Sequence, residues 1–173
     1  MTALSPNRRI AGLAAVIFAA DQISKAAVLK YLGFAEEKII LPGCFKFVHW
    51  GNTGAAWSMF ADNNKMLALV AALALVVLVF TRRHFGAATR LGQFALGLIF
   101  GGICGNLLDR LLPSRQHVVD FLRFYINRAD GSELGFPAFN IADSAICVGV
   151  GLIFILNWKQ SKPPKTPAPP LFN

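Results

Sequence analysis

Four apolar runs divide the 173-residue chain, and they restrict it to folds that bury such runs in a lipid bilayer. The runs cover residues 10–29, 66–80, 91–108 and 139–158. The chain as a whole is 55% apolar and only 15% charged, and its mean hydropathy is +0.52. We therefore predict one integral membrane domain over residues 1–173, mainly α-helical, with four transmembrane helices.

Basic residues are concentrated on one side of the predicted membrane. The arm before the first run, the loop between the second and third runs, and the C-terminal tail hold eight basic residues and no acidic one. The basic residues are Arg8, Arg9, Arg82, Arg83, Arg90, Lys159, Lys162 and Lys165. Because they lie close to the ends of the runs, the positive-inside rule predicts that both termini are cytoplasmic. Five prolines and three lysines in residues 159–173 predict a disordered or extended tail.

The first apolar run has two interpretations. A basic start followed by an apolar stretch is also typical of a cleaved signal peptide. The run continues past the polar cluster at 21–25, and no obvious small-residue cleavage site precedes that cluster. We therefore predict that the first helix is retained.

Two extramembrane segments lie on the side opposite the termini. In residues 31–65, the Pro-Gly pair at 42–43 indicates a turn, residues 44–50 have β character, and residues 51–54 indicate a second turn. One or two short strands are expected there. The third run ends in Asp109 and Arg110, and we interpret the polar and mixed residues that follow, to about 137, as a loop with a turn at the Asp-Gly pair 130–131.

Polar clusters on that same side contain candidate functional residues. Asp21 and Lys25 are spaced i, i+4, which suits an ion pair within a helix, so a purely structural salt bridge is one interpretation. The cluster at 52–57 indicates either a turn followed by an interfacial tryptophan or a substrate contact. Asn106 and Arg110 share a helical face, where they either cap the helix end or hold a carbonyl or carboxylate group.

Two aspartates lie where apolar sequence meets polar sequence. Singly, Asp143 is explained as a helix cap at the start of the fourth run, and Asp120 as an exposed loop acid. Carboxylates in apolar surroundings are costly, however, and Asn140 lies three residues before Asp143. Two close carboxyl groups, one ionised and one protonated, can activate water and protonate a leaving amine. The sequence therefore predicts a two-aspartate hydrolase at a membrane surface.

Other chemistries have less support in the sequence. The three histidines lie in different segments and no His-Glu-x-x-His motif is present, which disfavours a serine triad and a metalloprotease. The three cysteines are interpreted as small core residues, and nothing calls for a metal, a cofactor or nucleic acid, or for more than a monomer. A proton-coupled transporter and a non-catalytic assembly factor with structural acids are the open alternatives.

Five ordered motifs resemble those of the bacterial lipoprotein signal peptidases, also called signal peptidase II. They are DQxSK at 21–25, NTGAAW at 52–57, GGICGNLLDR at 101–110, VVDF at 118–121 and FNIADS at 139–144. Five motifs in this order are far more specific than any one alone. The resemblance implies an aspartic endopeptidase of the bacterial inner membrane, with membrane lipid around it. It would cleave signal peptides from diacylglyceryl-modified prolipoproteins, just before the lipidated cysteine.

The resemblance also implies roles for individual residues. Asp120 and Asp143 would be the catalytic pair, on the extracytoplasmic face. The substrate-binding or site-supporting residues would be Asn52, Gly54, Asn106, Arg110, Asn140, Ala142, Asp21 and Lys25. A small extracytoplasmic β-rich cradle on the outer leaflet would correspond to about residues 38–60. The stretch 128–133 departs from the family, because it makes the loop between the two aspartates long.

Overall fold

The computed structural model describes residues 4–54 and 63–160, and within these ranges it contains four long helices. They are α1 (Pro6–Tyr31), α2 (Asn64–Thr81), α3 (Arg90–Leu111) and α4 (Ile141–Gln160). Each is long and apolar enough to cross a membrane. The prediction of four spanning helices is confirmed, with ends a few residues from those of the apolar runs. The predicted disordered tail falls, beyond residue 160, outside the described residues.

Side-chain caps explain where two helices begin. The Ser5 hydroxyl accepts a hydrogen bond from the Arg8 N–H at 3.4 Å, and proline follows at the first helical position, where no N–H is needed. The Thr89 hydroxyl accepts in the same way from the Gly92 N–H at 3.0 Å, at the start of α3. A hydrogen bond of 3.2 Å from the Arg9 guanidinium to the Gln93 amide oxygen joins the two starts. The helices α1 and α3 therefore begin on the same side of the bundle.

The helix α3 is central, because it packs against α1, α2 and α4. Its glycines permit this close approach. A Cβ at Gly101 would lie 2.7 Å from the carbonyl oxygen of Ala14 on α1, and one at Gly102 would lie 2.5 Å from that of Ala142 on α4. Within the protein, 56% of the residues in the apolar segment of α3 are buried, whereas only 6% of those in the apolar segment of α2 are buried. The apolar surface of α2, including Phe80, is thus left to face lipid.

An antiparallel sheet of four strands lies at the end of the bundle opposite the helix starts just described. The strands are β1 (Glu37–Leu41), β2 (Phe45–Asn52), β3 (Val118–Asn127) and β4 (Glu133–Gly135), and they pair in that order. The strands predicted before residue 54 are confirmed. The sheet extends beyond the cradle predicted at 38–60, of which residues 55–60 lie outside the described residues. The interpretation of 111–137 as a loop is wrong, because β3 and β4 lie there. Residues 118–121 are all buried, so β3 lacks the alternation that marks a half-exposed strand.

The stretch 128–133 forms the turn of the β3–β4 hairpin. The turn at 130–131 is confirmed, since Gly131 has φ of 81° and its N–H donates to the Arg128 carbonyl at 3.0 Å. Glu133 at the start of β4 pairs at 2.7 Å with Lys46 on β2, which is only 2% exposed and also pairs with Glu37 on β1. This turn therefore leads into a short strand, β4, that ion pairs of Glu133 tie to the sheet.

Candidate active site

Asp120 is the third residue of β3, and it is only 3% exposed. One carboxylate oxygen accepts a hydrogen bond from Nδ2 of Asn52 on β2 at 2.9 Å. The other oxygen accepts from Nδ2 of Asn140 at 2.8 Å. The alternative interpretation of Asp120 as an exposed loop acid is therefore wrong, because a strand carries it and amide donors hold both of its oxygens.

Asp143 lies in the first turn of α4. Its Oδ2 accepts from the backbone N–H of Asn140 at 3.2 Å, while Oδ1 of Asn140 accepts from the backbone N–H of Asp143 at 2.9 Å. This reciprocal arrangement is a capping box, so the helix-cap interpretation is confirmed. The cap leaves Oδ1 of Asp143 available, and that oxygen accepts from Nδ2 of Asn106 on α3 at 2.7 Å. Asp143 can therefore cap α4 and take part in the candidate site at the same time.

Asn140 connects the two acids. Its amide nitrogen donates to Asp120, and its amide oxygen accepts from the Asp143 backbone. The same amide nitrogen lies 3.2 Å from Oδ1 of Asn106, whose own Nδ2 donates to Asp143. Asn140 is fully buried. Two asparagines therefore place Asp120 of the sheet and Asp143 of the bundle in one hydrogen-bond network.

The surroundings of Asp120 favour its protonated form. Burial and the nearby charge of Asp143 raise the pKa of Asp120 to about 7, although hydrogen bonds from Asn52 and Asn140 oppose the shift. At neutral pH a proton is therefore readily kept by one carboxyl while the pair as a whole stays charged. That mixed state is the one in which two carboxyl groups can act as an acid and a base.

A buried ion cluster adjoins the acids. Nζ of Lys25 on α1 lies 2.8 Å from Asp21, 2.7 Å from Asp109 and 2.8 Å from Oδ1 of Asn106. The side chains of Lys25 and both aspartates are 0% exposed. The predicted i, i+4 ion pair is present, and all three donors of the ammonium group are used. Since the third partner is Asn106, the cluster also orients the amide that binds Asp143.

Ala142 and Asp21 join α1 to the start of α4. The Ala142 backbone N–H, one of the orphan donors at a helix start, donates to Oδ1 of Asp21 at 3.0 Å. The contact requires a glycine on α3, because a Cβ at Gly105 would lie 2.5 Å from Oδ2 of Asp21. The glycine-rich motif of the third span therefore makes room for a polar contact as well as for helix packing.

Arg110 and Gly54 lie beside the network of the acids. Arg110 donates to the Gly54 carbonyl at 2.8 Å and to Oδ1 of Asn64 at 3.0 Å, so it binds the segment after β2 and the start of α2. The Gly54 N–H donates to Oδ1 of Asn52 at 2.9 Å. Arg110 is close enough to interact electrostatically with both acids. The rest of the NTGAAW motif, residues 55–57, lies outside the described residues.

Four polar residues in this region are not among those predicted from the sequence. They are Gln22, Asn64, Asp109 and Arg115. Asp109 carried a signal, because it lies one helical turn after Asn106 and so near the face that contains the site. Gln22 lies within the DQxSK motif, whereas Asn64 had only polar neighbours to indicate it. Arg115 had no signal, since it reaches Asp109 only because the chain reverses after α3.

The fold and this site define a multi-pass membrane protein with a buried aspartate pair where its sheet meets its helix bundle. Within residues 4–54 and 63–160, no group of three His, Cys, Asp or Glu side chains is arranged to hold a metal ion. The polar groups in the described part of the site are carboxyl groups, amides and the cations Lys25 and Arg110.

Comparisons with known proteins identify the family. The model of the family described as signal peptidase (SPase) II matches residues 13–159. The lipoprotein signal peptidase of Bacillus subtilis (strain 168) is 37% identical over 143 residues, which are 83% of this chain and 88% of the relative. That of Symbiobacterium thermophilum is 38% identical over 143 residues, 83% of this chain and 90% of the relative. The chain belongs to the signal peptidase II family, and it is a membrane peptidase, as the resemblance of its motifs indicated.

Two solved structures share the fold, and both are described as bacterial membrane enzymes studied by the in meso method. One aligns with a TM-score of 0.73 and 28% identity, covering 89% of this chain and 91% of the other. The second has a TM-score of 0.68 and 27% identity, covering 86% and 92%. The arrangement of helices and sheet is therefore that of a known membrane enzyme.

Proposed function

We propose that this chain is an aspartic endopeptidase that cleaves the signal peptide from diacylglyceryl-modified prolipoproteins, just before the lipidated cysteine. The observation that carries the proposal is the network in which Asn140 binds both Asp120 and Asp143. Among residues 4–54 and 63–160, the direct hydrogen-bond partners of these carboxyl groups are asparagines and a backbone N–H. Such partners fix the geometry of the two acids and still allow a proton to be exchanged.

The chemistry requires one proton on the pair. The ionised carboxyl accepts a proton from water as the water oxygen attacks the peptide carbonyl carbon, and the protonated carboxyl donates to the substrate. As the tetrahedral intermediate collapses, the peptide C–N bond breaks and the leaving amine takes up a proton from the pair. The raised pKa of Asp120 supports this division of roles near neutral pH, because two close carboxyl groups titrate as a unit.

The remaining predicted residues support this pair or shape its surroundings. Asn52, Asn106 and Asn140 hold the carboxyl oxygens. Lys25 and Asp21 position Asn106 and the start of α4. The remaining contacts, made by Arg110, Gly54 and Ala142, keep the segment after β2 and the start of α4 in place beside the acids.

An assay with two matched precursors tests the proposed substrate. In detergent, the purified protein is expected to convert a diacylglyceryl-modified prolipoprotein to a product that begins with the lipidated cysteine, as located by mass spectrometry. The same precursor without the lipid is expected to be cleaved at least about tenfold more slowly, because remote binding energy contributes to turnover. Equal turnover of the two precursors, or a cut elsewhere, would contradict the proposal. Solute flux across vesicles without proteolysis would favour a transporter instead, and neither activity would favour an assembly factor.

We also propose that the sheet and the acids face the extracytoplasmic side, with both termini in the cytoplasm. The support is the placement of basic residues, since the loop between α2 and α3 holds Arg82 and Arg83 and no acid. The interpretation of the three cysteines as core residues is wrong for Cys44 and Cys147, which are exposed. Cys44, between β1 and β2, is therefore a native reporter. A membrane-impermeant maleimide added to intact spheroplasts is expected to label Cys44. In a Cys44→Ser background, Ala88→Cys should be labelled only after the membrane is permeabilised, and labelling in the reverse order would refute this orientation.

A further inference from the structure

A loop outside the predicted site brings a second cation to the buried ion cluster. After α3 ends, the backbone N–H groups of Arg115 and Gln116 both donate to the carbonyl of Leu112 at 3.0 Å, which reverses the chain. Gln116 has φ of 55°, in the left-handed region, as such a tight reversal requires. The reversal returns the Arg115 side chain to the end of α3 just before the chain enters β3.

The Arg115 guanidinium binds two helices at once. Its Nη1 pairs with Oδ1 of Asp109 on α3 and donates to Oε1 of Gln22 on α1 at 3.1 Å. Asp109 in turn accepts, at 3.5 Å, from the backbone N–H of Val119, the residue before Asp120. Arg115 is therefore connected through one carboxylate to the strand that carries Asp120.

Charged side chains surround the aspartate pair and its adjoining ion cluster from every described element packed there. They are Asp21 and Lys25 on α1, Asp109 and Arg110 on α3, Arg115 on the loop after α3, Asp120 on β3 and Asp143 on α4. Three are cations and four are carboxyl groups, so the formal charge is zero when the pair holds one proton. The nearest titratable neighbour of Arg115 on the same loop, His117, packs its ring against Gly51.

We propose that Arg115 is a positioning residue that, through Asp109, anchors β3 to the bundle and balances the charge around the aspartate pair. The inference rests on the proposed function of that pair, and it assigns a role to a residue outside all five motifs. Without Arg115, Lys25 is left between two buried carboxylates, Asp21 and Asp109, and the cluster carries one excess negative charge. That excess makes a second negative charge on the pair harder to form.

Three variants separate the charge of Arg115 from its contacts. Arg115→Gln removes the charge, Arg115→Lys keeps it, and Arg128→Gln removes the charge of an exposed arginine on the β3–β4 turn as a control. For the lipid-modified precursor we expect kcat of Arg115→Gln to fall by about tenfold or more, with KM changed less than about threefold, because a displaced acid affects chemistry more than binding. Arg115→Lys is expected to recover most of kcat, and Arg128→Gln to match the unsubstituted protein. A kcat for Arg115→Gln equal to that of Arg128→Gln would overturn the inference.

Thermal unfolding provides a readout that needs no substrate. Burial raises the pKa of Asp120 from 3.8 to about 7, so between about pH 4 and 7 Asp120 is ionised in the unfolded chain but keeps its proton in the folded protein. The stability of the folded state therefore falls as the pH rises over this range. The Tm of Asp120→Asn minus that of the unsubstituted protein should therefore grow over this range and become constant near pH 7. In an Arg115→Gln background, we expect the pH at which the difference becomes constant to be higher by roughly 0.5 to 1 unit.

The two readouts distinguish failure of this inference from failure of the proposed function. An unchanged Tm profile in the Arg115→Gln background overturns the role of Arg115 whether or not the protein cleaves the precursor. A shifted profile in a protein that cleaves nothing leaves the role of Arg115 standing and removes the proposed function. If Arg115→Gln does not fold, Arg115→His replaces it, because histidine loses its charge near pH 6.5. Its Tm should then fall relative to that of Arg115→Lys between about pH 6 and 8, and a constant difference overturns the inference.

Discussion

The Asp120→Asn and Asp143→Asn variants are each expected to lose cleavage of the lipid-modified precursor, with kcat/KM reduced by about 10³-fold or more. Each substitution keeps the size and shape of the side chain but removes the group that accepts or donates a proton. Because the proposed mechanism uses the two carboxyl groups as one unit, the double variant should be little worse than either single variant. Initial rates measured with excess enzyme, and product mass, check this expectation.

Folding and surface charge need a matched control, and Asp130→Asn supplies it. Asp130 is an exposed acid on the β3–β4 turn, where its carboxylate binds only the neighbouring Ser132 among the contacts described. The same chemical change at that position is expected to leave kcat/KM within about twofold. Appreciable turnover by Asp120→Asn or Asp143→Asn in a folded sample would remove the aspartate pair from the mechanism.

The helices of this protein were predictable because each corresponds to one long apolar run in the sequence. The four runs mark α1 to α4 to within a few residues, and the resemblance of five motifs to signal peptidase II agrees with the family that the comparisons show. The strand β3 was not predictable from its pattern. It carries apolar residues on both faces, Val118 on one and Val119 on the other, and the acid Asp120 interrupts the apolar sequence, so neither alternation nor a continuous apolar run marks it.

The network around the acids was only partly predictable, for a geometric reason. The i, i+4 spacing of Asp21 and Lys25 on one helix indicates their ion pair directly. The hydrogen bond from Asn140 to Asp120 crosses from α4 to the sheet, and it depends on how β3 returns over the bundle. Spacing along the chain carries no information about such a contact. The same holds for Arg115, which lies far from Gln22 in sequence but binds it in the fold.

The capping box shows that Asp143 can stabilise the start of a helix and also belong to the aspartate pair. Asp143 and Asn140 exchange hydrogen bonds that start α4, and a structural role would by itself explain both residues. The box occupies only one carboxylate oxygen of Asp143, while the other binds Asn106. The helix start therefore holds the acid in a fixed rotamer beside Asp120, so stability of α4 and geometry of the pair depend on the same contacts.

Lys25→Met is expected to destabilise the folded protein by about 3 to 5 kcal/mol, the usual cost of removing one partner from a buried ion pair. Lys25 is the shared partner of Asp21 and Asp109, and all three side chains are 0% exposed. Methionine fills a similar volume but leaves two carboxylates buried, with Arg115 available to only one of them. Thermal unfolding in detergent should show a large drop in Tm, and activity should fall with it because Asn106 loses the cation that orients its amide.

Loss of charge balance, rather than loss of packing, is the predicted cause of the lower stability of Lys25→Met, and a second substitution tests this cause. In Lys25→Met/Asp21→Asn the charge of Asp109 is still matched by Arg115, so this double variant should regain part of the lost Tm. Lys30→Met makes the same change at an exposed position of α1, and it is expected to alter stability by no more than about 0.5 kcal/mol. If the double variant loses as much stability as Lys25→Met and Asp21→Asn lose together, the cluster stabilises the bundle by packing. The ion pairs of Lys25 with Asp21 and Asp109 would then contribute little to folding.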